Sequence, residues 1–126
     1  MLTDTNILFS ALLFPESKPA KALFRVVEQY SLVLCDYIIA ELRAVVVRKR
    51  PDLLADVDLL LAKLSFELTI APENPGKLIA DPKDHPILNA AILADVDVII
   101  SGDRHFLDLT MEHPRTMSAA AFLSDC

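Results

Sequence analysis

The sequence predicts an α/β domain, a mostly parallel sheet covered by helices on both faces, and three observations predict it. The apolar run at 32–35 is continuous rather than alternating, as in a strand buried on both sides, and 96–100 is the best strand in the chain. Segments with helical spacing of apolar residues separate the runs. Acids stand just beyond strand ends, at Asp4, Asp36 and Asp103, and ligands of open α/β sheets gather outside the carboxyl ends of strands.

In chain order, Met1-Leu2-Thr3 opens the first strand and Asp4 ends it, with Thr5 or Asn6 able to cap the helix that follows over 6–14. Pro15 stops that helix, and Pro19 suits the first turn of a second, carried to Tyr30 by Leu23, Val26 and Val27. After the strand at 32–35, Asp36 can cap a helix over 37–49 whose core stripe is Ile38, Leu42, Val45 and Val46. Arg48-Lys49-Arg50 complements the dipole at its carboxyl end.

Pro51 opens another helix, to Leu64, and 66–70 alternates as a strand. The prolines and Gly76 of 71–77, and then Asp81-Pro82-Lys83-Asp84-His85-Pro86, read as loops before a helix whose packing face is Ile87, Leu88, Ala91, Ile92 and Ala94. The strand at 96–100 ends in Ser101-Gly102-Asp103. A short helix over 104–109, an edge strand at 116–117 and a helical turn over 118–123 complete the chain. The alternation of strands and helices implies parallel pairing, and no repeat or linker divides the single domain expected over 1–126.

Composition narrows the function. A chain of 126 residues that is 53% hydrophobic can bury a real core. No apolar run approaches the roughly 18 residues of a membrane span, and a signal-peptide pattern is not seen, so a cytoplasmic protein without membrane attachment is expected. Two glycines, Gly76 and Gly102, exclude a P-loop or dinucleotide fingerprint. Cys35 and Cys126 have neither disulfide nor metal spacing, and His85, His105 and His113 have no ligand spacing to one another.

The net charge of −6 argues against a nucleic-acid partner at face value, but setting four site acids aside leaves only −2, and a bound divalent cation reverses the local sign. Asp4, Asp84 and Asp103 fall at element junctions on one sheet edge, with Glu41 one turn into the helix after the second strand. Carboxylates gathered in this way repel one another without a counter-ion, and hard oxygen ligands suit Mg²⁺ or Mn²⁺. Such ions can hold a phosphodiester and activate water against it. The plain alternative is that these acids cap helices and turns. The cluster Arg43, Arg48, Lys49 and Arg50, and the stripe Lys18, Lys21 and Arg25, are solvated faces or phosphate contacts.

Four segments together resemble a PIN domain: Asp4-Thr5-Asn6-Ile7-Leu8 with Ser10-Ala11-Leu12, Tyr37-Ile38-Ile39-Ala40-Glu41-Leu42, Asp81-Pro82-Lys83-Asp84-His85-Pro86-Ile87-Leu88-Asn89-Ala90-Ala91, and Val98-Ile99-Ile100-Ser101-Gly102-Asp103. They stand in that family's order over nearly the whole chain. The nearest likeness is to bacterial PIN proteins of toxin-antitoxin pairs, relatives of the VapC ribonucleases.

The resemblance implies a three-layer α/β/α fold and a Mg²⁺- or Mn²⁺-dependent endoribonuclease, the toxin of such a pair. RNA is then the substrate, an antitoxin protein a partner and a homodimer the assembly. By the same resemblance Asp4, Glu41, Asp84 and Asp103 are the catalytic, metal-holding acids. Asn6 shapes the site, Ser101 stands where the family often has Thr and orients a water or a carboxylate, and Asp81 is an outer acid or a turn residue. Arg48, Lys49 and Arg50 are candidate RNA contacts. The family's first strand has several apolar residues before its Asp, whereas three residues precede Asp4.

Two other readings remain at this point. One is a non-catalytic PIN fold that binds RNA or an antitoxin. The other is a phosphatase of the haloacid dehalogenase type, whose motifs Asp4-Thr5-Asn6 and Gly102-Asp103 superficially resemble, although its second aspartate would fall on Asn6.

Overall fold

The computed structural model describes residues 1–70, 85–102, 107 and 114–125. Its elements run β1 (Leu2–Thr3), α1 (Thr5–Leu13), α2 (Lys18–Gln29), β2 (Leu32–Cys35), α3 (Asp36–Lys49), a 3₁₀ turn (Pro51–Leu53), α4 (Leu54–Lys63), β3 (Phe66–Thr69), α5 (His85–Leu93), β4 (Val98–Ile100), β5 (Arg115–Met117) and α6 (Ala119–Asp125). The expected loops at 71–84 and helix at 104–109 lie outside the described residues.

The strands form one five-stranded sheet in the order β3-β2-β1-β4-β5, and every pairing is parallel. Every residue of β1, β2 and β4 is buried, neighbours in sequence included. A strand buried at consecutive positions is covered on both faces, so the helices form a layer on each side and the architecture is α/β/α. The core joins Leu2, Leu34 and Ile99 of the strands to Leu8, Leu23, Leu42 and Phe122 of the helices. The ring of Phe122 meets Tyr30 edge-on at 6.0 Å, and Arg25 donates to the Leu123 carbonyl at 3.2 Å, so α2 and α6 are tied by packing and by a hydrogen bond.

Helix starts and stops explain where the sequence reading shifts. Asp36 is the first residue of α3 rather than its cap; Cys35 holds the cap position and makes no side-chain bond there. The helix expected from Pro51 begins as a 3₁₀ turn, beside which Arg50 reaches both carboxylate oxygens of Asp52 at 3.1 and 2.9 Å. Ile92 is 43% exposed and Ala90 takes its place in the buried face of α5. The strand expected from Val96 starts at Val98, because Val96 closes α5: its N–H bonds Ala91 O, while Asp95, at φ 55°, bonds Ile92 O, both at 3.1 Å. This pair of bonds with a left-handed residue between helix and exit is a Schellman cap.

Cys35 is a buried free thiol, and burial pushes it above the usual range, which favours the protonated form.

Thr3 Oγ1 is fully buried and has no hydrogen-bond partner among the described residues. An unsatisfied buried hydroxyl costs about 1–3 kcal/mol. Thr3→Val keeps the shape and removes the cost, so urea unfolding should show a gain of about 1 kcal/mol or more; a loss of stability would mean that the hydroxyl is satisfied in solution.

Candidate active site

From β1 the chain moves outward through β2 to β3, then crosses back to lay β4 on the other side of β1. The strand order therefore reverses between β1 and β4, and the crevice beyond their carboxyl ends is where such sheets place ligands. Leu2 and Thr3 are in register with Ile99 and Ile100, which sets Asp4 and Ser101 side by side at that point.

Asp4 is 3% exposed and its bonds link three elements. Its N–H donates to Ile100 O at 3.2 Å, extending the β1–β4 ladder past the strand end. Oδ1 accepts from the Ile7 N–H at 3.0 Å, which makes Asp4 itself, rather than Thr5 or Asn6, the N-cap of α1. Oδ2 accepts a short hydrogen bond from Ser101 Oγ. Ser101 is fully buried and fixed through its own N–H, which donates to Met117 O at 2.9 Å. The amino end of α1 and these donors complement the negative charge of the carboxylate.

Glu41 lies five residues into α3, about one and a half turns from the carboxyl end of β2. Its Oε1 accepts from Thr5 Oγ1 at 2.5 Å, so the residue next to Asp4 in the chain reaches the second acid. Asn6 is exposed in the first turn of α1. Asp4, Glu41, Ser101 and Thr5 are thus drawn into one linked group, while Asp81, Asp84 and Asp103 lie outside the described residues. Among the described residues no three His, Cys, Asp or Glu side chains are grouped as metal ligands. In kind, carboxylates and hydroxyls are hard oxygen donors that fit Mg²⁺ or Mn²⁺.

Arg48, Lys49 and Arg50 are not brought to this group. A helix that follows a strand of a parallel sheet runs back along it, and Lys49 is eight residues beyond Glu41, about 12 Å further from the site edge. Arg50 is engaged by Asp52, and the bond lowers the Asp52 carboxyl from its ordinary value and raises the guanidinium. Arg43 pairs with Asp58 at 2.6 Å and Lys49 Nζ stands 6.0 Å from the Phe9 ring centre, leaving Arg48 as the exposed cation without a partner among the described residues.

The sequence reading gave Thr5 no part beyond capping. A polar residue between Asp4 and Asn6 was a signal, but its partner is 36 positions away and only the packing of α1 on α3 identifies it.

A family model described as PIN domain matches residues 1–105. No match is found among curated proteins. Among solved structures, VapBC2 from Rickettsia felis, bound to a DNA fragment from their promoter, matches with a TM-score of 0.72 at 16% identity, over 93% of this chain and 96% of that one. At that identity the likeness concerns the fold.

Because the Asn oxygen preserves the cap and its amide N–H can donate to the Ser101 hydroxyl oxygen, Asp4→Asn should unfold in urea within about 1 kcal/mol of the parent. Asp4→Ala loses the cap and the hydrogen bond from Ser101, so a loss of about 2 kcal/mol is expected from the two effects. Equal stabilities for the two variants would remove Asp4 from its structural role.

Proposed function

The chain belongs to the PIN domain family, and from that premise we propose that it is a divalent-metal-dependent endoribonuclease, the toxin of a toxin-antitoxin pair. The observation that carries the reading is the linkage of Asp4, Ser101, Thr5 and Glu41 at the reversal of strand order. Family membership sets the phosphatase reading aside.

Asp4 and Glu41 supply carboxylate oxygens for Mg²⁺ or Mn²⁺. Asp84, which precedes the first residue of α5, and Asp103, two residues after Ser101 in the chain, complete the proposed set. A bound divalent ion supplies compensating charge and makes a nearby water more acidic. Ser101 keeps the Asp4 carboxylate in one orientation, and Asn6, exposed in the first turn of α1, would help to shape the site.

Protein partners belong to the same reading. Phe14, 62% exposed, and Leu59, 59% exposed, accompany a groove of about 230 Å³ lined by Ala11, Leu12, Pro15, Phe24, Leu59 and Leu60 with Asp56 and Lys63. Exposed apolar side chains gathered in this way suit a protein partner. That the matched fold occurs in a complex named VapBC2 supports an antitoxin, and a second copy of this chain is the other occupant we propose. No helix among the described residues is long and apolar enough to cross a membrane; a cytoplasmic location follows from the proposed RNA substrate.

Cleavage of single-stranded RNA with Mg²⁺ or Mn²⁺ should fall by about two orders of magnitude or more in Asp4→Asn, the scale of losing one group that stabilises developing charge. Retained cleavage overturns the assignment. A metal at about 100 times its dissociation constant adds about 2.7 kcal/mol to the folded state, so Mn²⁺ should raise the melting temperature of the parent, and much of that rise should be lost in Asp103→Asn. If Arg48-Lys49-Arg50 touches phosphate, Lys49→Glu with Arg50→Glu should weaken RNA binding and flatten its salt dependence; unchanged binding removes the patch from the interface.

A further inference from the structure

We infer that Thr5 is a positioning residue, whose hydroxyl holds one oxygen of Glu41 so that the other is presented to the divalent cation; this rests on the nuclease reading above. Thr5 is the first residue of α1 and buried, so its side chain could have served the helix locally. It does not, because Asp4 already caps the Ile7 N–H. The hydroxyl turns instead to α3 and meets Glu41 Oε1 at 2.5 Å. A carboxylate only accepts, so the single hydroxyl proton points from Thr5 to Glu41.

Three features make this an orienting contact. The β-branched Thr5 has restricted rotamers and sits on the first turn of a packed helix, whereas glutamate has three side-chain torsions to fix. Among the described residues Glu41 Oε2 has no hydrogen-bond partner and Glu41 has no cationic partner. A hydroxyl also directs the carboxylate without cancelling its charge, unlike a lysine or arginine, which would compete with a bound cation. Asp4 and Thr5 are adjacent, so one dipeptide sets the first acid against β4 and the second against α1.

The test uses the whole chain and Mn²⁺ alone as probe, read by calorimetric titration and by the metal-dependent rise in melting temperature, with RNA cleavage measured alongside. Thr5→Val is close in shape and lacks the hydroxyl; it should weaken Mn²⁺ affinity by about 10-fold or more, the scale of removing a hydrogen-bond partner of a metal ligand. Its kcat should fall with little change in KM for RNA. Thr5→Ser should restore both, and Thr5→Val should add little in a Glu41→Gln background, because the two residues act through one contact. An unchanged Mn²⁺ affinity in Thr5→Val, beside a parent that binds Mn²⁺, overturns the role of Thr5 alone. So does failure of Thr5→Ser to restore. A parent that neither binds Mn²⁺ nor cleaves RNA overturns the nuclease reading, and this inference with it.

Discussion

The hydrogen bonds that converge on Asp4 hold the end of β1, the start of α1 and the end of β4 at one point. β1 is only two residues long, yet it lies at the centre of the sheet with β2 on one side and β4 on the other. So short a strand is kept in place by what flanks it. The Met1 carbonyl accepts from the Val33 N–H at 2.8 Å, and the Asp4 N–H continues the ladder to Ile100. Beyond the last ladder bond, the side chain of Asp4 takes over, capping the helix and receiving Ser101. The carboxylate that terminates the central strand is therefore also the one that organises the site.

This arrangement sets stability against chemistry. In the proposed site, carboxylates drawn toward one cation would repel one another without it, which costs stability. The described part of the site meets that cost with neutral donors: a serine for Asp4 and a threonine for Glu41. Much of the nearby positive charge is kept elsewhere. Arg43 and Arg50 are matched with Asp58 and Asp52 on the exposed side of α3 and α4, and Lys49 lies toward Phe9 at the other end of α3.

The helices that build the site also shape the surface beside it. α1 carries Thr5 at one end and Leu12 at the other, where it reaches the apolar groove shared with Phe24 of α2 and Leu59 of α4. α3, which carries Glu41, packs on α1, α4 and α5, and so lies behind two of the helices that line the groove.

The order of strands and helices, the buried character of 32–35 and 98–100, and the position of Asp4 at a strand end were legible in the chain, because continuous apolar runs, helical spacing and acids at junctions are local properties. Exact limits were less legible: Val96 looks like strand by composition and becomes part of a helix cap because Asp95 takes a left-handed turn. Motif resemblance singled out Asp4, Glu41 and Ser101 as candidates, but which oxygen meets which hydroxyl depends on side chains 36 and 97 positions apart in the chain. The sequence by itself determined the alternation of elements and the kinds of atoms available for chemistry. Only the tertiary structure decided that Thr5 reaches Glu41 and that Asp4 both caps and receives Ser101, because those facts depend on how helices pack across the sheet.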